Sequence, residues 1–132
     1  YTVCALQDGI SRLRDTQIAG YEGRGSGTVS MIEMFNDIGA SDTGLKPQMT
    51  IISGKTQIIF SEEYKMQLVQ FTEDKAFGTG EKQIIAFNKD NDIYQPSDFN
   101  NVKKLKQYFP GTVISLKFYL DSRYIAKRKE NR

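Results

Sequence analysis

Histidine is absent from this chain of 132 residues, and cysteine occurs once, as Cys4. That removes the usual general base near neutral pH and the usual transition-metal ligand. Ser-His-Asp and Cys-His nucleophiles, imidazole-bound zinc and His-ligated haem go with it. The remaining chemistry is that of carboxylates, lysines and oxygen-bound cations. Two carboxylate pairs, Glu62-Glu63 and Glu73-Asp74, stand near the ends of successive predicted strands. Two acids at one rim are the equipment of a glycosidase, one protonating the leaving oxygen while the other serves as base or nucleophile. An exposed strand end explains the same residues without catalysis. The expectation is a protein that is not an enzyme, with a carboxylate enzyme such as a glycosidase as the third reading.

Hard oxygen ligands converge at Asn88-Lys89-Asp90-Asn91-Asp92, where they alternate as in positions one, three and five of a calcium loop. Asn88, Asp90 and Asp92 form the candidate metal set, with Ser97 at the ninth position. Ile93 stands where a glycine would allow the sharp turn, and Asn100 replaces the bidentate glutamate. This is not an EF-hand, and calcium here would be held weakly, with a Kd of roughly 10⁻⁴–10⁻³ M. The other reading is a polar loop, because Asn and Asp side chains bond to their own backbone and favour turns. No other cofactor is expected.

The net charge of +2 hides an asymmetry: residues 1–101 carry nine Lys/Arg and fourteen Asp/Glu, whereas residues 102–132 carry nine and two. Lys103, Lys104 and Lys106, with Lys127, Arg128 and Lys129 of a basic 127–132 tail, are the candidate partner-binding residues. Tyr94, Phe99, Tyr108, Phe109, Phe118, Tyr119 and Tyr124 lie among or near these cations. Stacking rings beside lysines are what single-stranded nucleic acid requires. The competing reading is a solvated terminus, with Phe109 and Phe118 in the core. The cluster Gly20, Gly23, Gly25 and Gly27 suggests a phosphate loop, but it lacks a P-loop lysine and a surrounding parallel unit, so a mobile surface loop over 9–27 is expected.

These residues need a scaffold, and the pattern predicts mostly antiparallel β. Over 112–120, Thr112, Ile114, Leu116, Phe118 and Leu120 face one way and Val113, Ser115, Lys117 and Tyr119 the other. Strands are also predicted at 2–6, 48–53, 56–60, 66–71 and 82–87, with a tight hairpin at Ser53-Gly54-Lys55 and a wider loop at Phe77-Gly78-Thr79-Gly80. Ser30 and Glu33 have capping-box spacing, so a helix over 30–38 with Met31, Ile32, Phe35 and Ile38 inward is one reading, and a strand over 28–35 the other. Val102, Leu105 and Phe109 fall at helical spacing over 101–109, ended by Pro110-Gly111. The predicted core holds Ile51, Ile58, Phe60, Leu68, Ile85, Phe87, Ile114, Leu116, Phe118 and Leu120.

Three stretches resemble the βγ-crystallin family. Phe71-Thr72-Glu73-Asp74-Lys75-Ala76-Phe77-Gly78 is similar to its aromatic-then-glycine corner. Residues 52–60 resemble the strand pair joining successive motifs, and Val113-Ile114-Ser115-Leu116-Lys117-Phe118 its terminal Ser-containing strand. The resemblance covers about half the chain and implies a Greek-key sandwich. The family's paired acidic or amide calcium residues have no counterpart in 110–115, so the resemblance does not carry calcium binding.

Taken together, the sequence predicts one β domain over 1–126, a sandwich of Greek-key type with one or two short edge helices, followed by the 127–132 tail. No apolar run is long enough to span a membrane. The start at Tyr1 without a leader reads as a processed or excised chain. The expected function is a non-catalytic binding or structural domain, secreted or surface-displayed, whose loops contact a protein or glycan. Nucleic-acid binding through the basic, aromatic-rich C-terminal third is the alternative.

Overall fold

The computed structural model describes residues 2–7, 27–38, 47–75 and 77–118. Within them the protein is mostly β, built from two antiparallel two-stranded sheets. Strand β1 (Gln48–Phe60) pairs with β4 (Val102–Lys117), and β2 (Gln67–Asp74) pairs with β3 (Gly78–Ile84). One helix, α1 (Gly27–Ile38), and a 3-10 turn at Cys4–Leu6 complete the regular structure. No helix among the described residues is long and apolar enough to cross a membrane.

Helix α1 buries Val29, Ile32 and Phe35, one residue per turn, and leaves Glu33 and Met34 exposed. Because it begins at Gly27, Ser30 sits in its first turn, and the predicted start at Ser30 is corrected. The buried stripe packs with Leu6, Met49, Ile51, Ile58, Phe60, Ile85 and Phe87 in one core. Edge-to-face contacts run through it from Phe35 to Phe60 (6.4 Å), from Phe60 to Phe87 (5.2 Å) and from Phe87 to Tyr64 (6.3 Å).

Several predicted elements are corrected. Residues 2–6 form a 3-10 turn rather than a strand. Residues 53–55 do not end a strand, because β1 runs through them as one element. The register shifts there instead, with Ser53 opposite Thr112 and Gly54 opposite Phe109. Gly54 takes φ 59, and the Tyr108 ring lies 3.6 Å from where its Cβ would be. The turn-like residue thus marks a bulge.

Residues 101–109 are not a helix, since Lys103 pairs with Gln57 and Lys104 with Thr56 across the sheet. From Gly54 to Thr56 is two residues, whereas their partners Phe109 and Lys104 are five apart. The extra residues on β4 reset its alternation and produce a three-to-four spacing that imitates a helix. Pro110 and Gly111 lie within this irregular edge strand, where a missing N–H is tolerated.

The predicted core is right at Ile51, Ile58, Phe60, Ile85 and Phe87, while Phe118 is partly buried against it. It is corrected at Leu68, Ile114 and Leu116, which are 58%, 44% and 37% exposed. Ile114 lies opposite the buried Ile51, and Leu116 opposite the buried Met49, so both are on the core face. The cover over β1 stops short of β4. Leu120 lies outside the described residues, as do the tail and the glycine loop before Gly27.

One buried amide ties the N-terminal turn to this core. Gln7 is fully buried; its Nε2 donates to the Ile85 carbonyl (2.8 Å) and the Val3 carbonyl (2.6 Å), and its Oε1 accepts the Ile85 N–H (2.7 Å). Replacing it by leucine keeps the volume but leaves the Ile85 amide and carbonyl buried without partners. Gln7→Leu is expected to lower the unfolding free energy by about 2–4 kcal/mol, measured by urea titration. An unchanged midpoint would show that the clamp contributes little.

Candidate functional site

The densest polar structure is the 86–101 segment between β3 and β4. It opens with a strained residue: Phe87, fully buried, has φ 57, a conformation that a bulky side chain rarely adopts. Burial of the ring holds it there, and the Asp98 N–H donates to its carbonyl at 2.6 Å. The chain thereby turns out of the core and returns eleven residues later at Asp98.

Within the loop, amides and carboxylates replace regular pairing. Asn88 Oδ1 accepts the Asp92 N–H (2.9 Å), and its Nδ2 donates to the carbonyls of Asp92 (2.8 Å) and Gln95 (3.2 Å). Asn91, at φ 49, accepts the Ala86 N–H (2.8 Å) and donates to the Ile84 carbonyl (3.1 Å), closing the end of β3. Asp92 Oδ1 accepts the Tyr94 N–H (2.9 Å), the Ser97 hydroxyl donates to the Ala86 carbonyl (2.6 Å), and Asp98 Oδ1 accepts the Asn100 N–H (2.8 Å). Buried Asn101 fastens the exit, donating to the Ile59 carbonyl (2.8 Å) and the Ser61 hydroxyl (3.1 Å).

Two tyrosine–aspartate bonds tie the loop to its neighbours. The Tyr94 hydroxyl lies 2.8 Å from each carboxylate oxygen of Asp74, at the end of β2, where Asp74 Oδ1 also accepts the Phe77 N–H of the β2–β3 turn (2.9 Å). The Tyr64 hydroxyl donates to Asp98 Oδ2 at 3.1 Å. The Asp74 carboxylate raises the Tyr94 phenol above its ordinary value, and partial desolvation followed by the Asp98 bond does the same for Tyr64. Against this frame the rings of Tyr94 and Phe99 remain 63% and 76% exposed. A polar cavity of about 300 Å³, lined by Glu63, Tyr64, Gln67, Asn88, Lys89 and Asn91, opens between the loop and the 61–67 turn.

The sequence-predicted residues are distributed as follows. Asn88 and Asp92 of the candidate metal set bond the loop's own backbone, and Asp90 is exposed beside them. Among the described residues no three His, Cys, Asp or Glu side chains lie close enough together to hold a metal ion. The pairs Glu62-Glu63 and Glu73-Asp74 flank opposite ends of β2. Lys103, Lys104 and Lys106 are all exposed on β4; Lys127, Arg128 and Lys129 lie outside the described residues. Gln7, Asn101 and the two tyrosine–aspartate bonds had no signature in the sequence beyond the richness of 88–101 in Asn and Asp.

The Asn88 network predicts that Asn88→Ala lowers the unfolding free energy by about 1–3 kcal/mol, by the same amount in millimolar calcium and in chelator. A loss confined to the calcium samples in parallel melting curves would instead make Asn88 a ligand. The Tyr94–Asp74 bond predicts a pH dependence of definite sign. A phenol whose folded pKa is raised contributes stability in full below its unfolded value near 10.0, and loses it as pH climbs through the raised folded value. Tyr94→Phe is therefore expected to be less stable than the parent at neutral pH, with the difference shrinking above pH 10. Urea midpoints across that range test it, and a constant gap would show that the bond does not carry it.

The chain matches no family model, no curated protein and no solved structure.

Proposed function

We propose that this chain is a non-catalytic binding domain that meets a protein or glycan partner through the 88–100 loop. The observation that carries the reading is the exposure of Tyr94 and Phe99, 63% and 76%, on a loop braced by its own amides and carboxylates. Large exposed rings on a braced loop offer contact area at little ordering cost. The Asp74 bond also fixes the Tyr94 ring at its hydroxyl end. The neighbouring polar cavity, with its amides and the Tyr64 ring, has the donor and acceptor variety that sugar hydroxyls use. The absence of histidine supports a non-catalytic role.

The fold reading that accompanies this proposal is a Greek-key sandwich of the βγ-crystallin kind. A four-stranded Greek key has the spatial order 4-1-2-3. The β4–β1 and β2–β3 pairs are two of its three adjacencies and support that reading, while among the described residues they stand as separate sheets with β1 and β2 unpaired to each other. Gly78 adds to it, at φ 72 directly after the stacked rings of Phe71 and Phe77.

Glycan arrays and cross-linking to candidate proteins, run with the parent and with Tyr94→Ala/Phe99→Ala, test the function. The double variant is expected to weaken binding at least about tenfold while Phe99→Ala alone leaves the melting temperature unchanged. Binding that survives both substitutions would overturn the loop's role.

A further inference from the structure

The β1–β4 sheet is wider than the layer covering it; among the described residues both of its strands are edges, and β4 is the exposed one. Among the described residues β4 pairs with β1 alone, and positions 106 to 117 are exposed without interruption. Thr112-Val113-Ile114-Ser115-Leu116 carries no charge, whereas natural edge strands guard themselves with lysine, proline or bulges. Those guards stand upstream on the same strand: Lys103, Lys104, Lys106, Pro110 and the bulge at Gly111. The 112–116 stretch is the gap between the upstream guards and Lys117 at the end of β4.

A second observation falls on the same stretch. An apolar cavity of about 370 Å³ is lined by Leu6, Met31, Ile51, Thr112 and Ile114. Thr112, Ile114 and Leu116 share the core face with Ser53, Ile51 and Met49 through their register. A strand laid along the outer edge of 112–116 would present alternate side chains to that face, beside the cavity. Main-chain bonding along an edge together with a pocket for alternate side chains is how sheets recruit extended peptides. The charge of the strand indicates the flank of the peptide: β4 holds four lysines and no acid.

We infer that the 112–116 edge of β4 is a strand-addition site for an extended segment of a partner protein, with apolar residues at alternate positions and acidic residues at one end. The site is separate from the 88–100 loop and does not depend on its role. The probe is a fluorescent peptide, Thr-Val-Thr-Ile-Thr-Val-Asp-Glu, titrated by anisotropy, with amide hydrogen exchange read over 112–117.

Saturable binding that slows exchange at 112–117 is expected, with affinity falling at least about tenfold for Ile114→Asp and for a peptide N-methylated at alternate amides. Lys104→Glu/Lys106→Glu, far from the pocket, is expected to cost several-fold and to abolish the preference for the acidic peptide over a lysine-ended one. Tyr94→Ala/Phe99→Ala should leave all of this intact, which separates the edge from the loop. Four results would overturn the inference: no binding of the probe, binding indifferent to N-methylation, protection in the free protein of those 112–117 amides that point away from β1, or tighter binding of a thymidine oligonucleotide that competes with the peptide. A dimer in sedimentation that Ile114→Asp dissociates would also overturn it, assigning the edge to a second copy.

Discussion

The fold turns on a peptide-like side chain buried where a backbone partner is missing. β3 ends at Ile84, and the next residue carries its amide and carbonyl into the core, where no strand lies beside it among the described residues. A buried amide without partners costs a kilocalorie or more, so the segment is tenable only if something supplies one donor and one acceptor in the right places. The Gln7 amide does both, and its nitrogen reaches the Val3 carbonyl as well. The turn that carries it brings Leu6 into the core, so polar satisfaction and apolar burial fix the same contact. The strained Phe87 conformation, and the loop that springs from it, lie two residues downstream of this clamp.

Two kinds of surface result. The 88–100 loop resolves the polar demands of its own backbone with Asn88, Asn91, Asp92, Ser97 and Asp98, is held to its neighbours by the Tyr94–Asp74 and Tyr64–Asp98 bonds, and leaves the Tyr94 and Phe99 rings largely to solvent. The β1–β4 sheet does the opposite. Among the described residues its backbone is paired on one side only, and its apolar face continues past the buried Ile51 to the half-exposed Ile114. A rigid polar loop and an unfinished apolar sheet differ in what they leave unsatisfied, ring surface in one case and a strand edge in the other.

What could be read from the residues follows this division. Alternation located the second half of β4, short β-rich runs bounded by turn residues located β1 and β2, and Ile51, Ile58, Phe60, Ile85 and Phe87 were recognisable as core. Helix α1 was legible from the spacing of Ile32 and Phe35, though not its start. The bulges were not legible, because a register shift is set by the partner strand. Ser53-Gly54-Lys55 therefore imitated a hairpin and 101–109 a helix. The burial of Ile114 and Leu116 was misjudged although their face was read correctly, since alternation reports which side a residue is on and not whether anything lies over it. At the loop, an Asn-rich and Asp-rich composition announced local hydrogen bonding, but Gln7 gave no sign, because a single buried amide has no periodicity and its partner is 78 residues away.

The pairing of β1 with β4 also shapes how the chain reaches this structure. It joins Ile58 to Val102 and Gln48 to Lys117, separations of 44 and 69 residues, whereas β2 and β3 are neighbours joined by a short turn. Closing so long a loop is entropically slow, so the local β2–β3 hairpin is favoured to form first and the β1–β4 sheet late. During synthesis β1, with Ile51, Ile52, Ile58 and Ile59, emerges well before its mate and must wait for some fifty residues of further chain. Through that interval the β1 isoleucines are without their mate, and their early burial limits the self-association that exposed apolar strands invite.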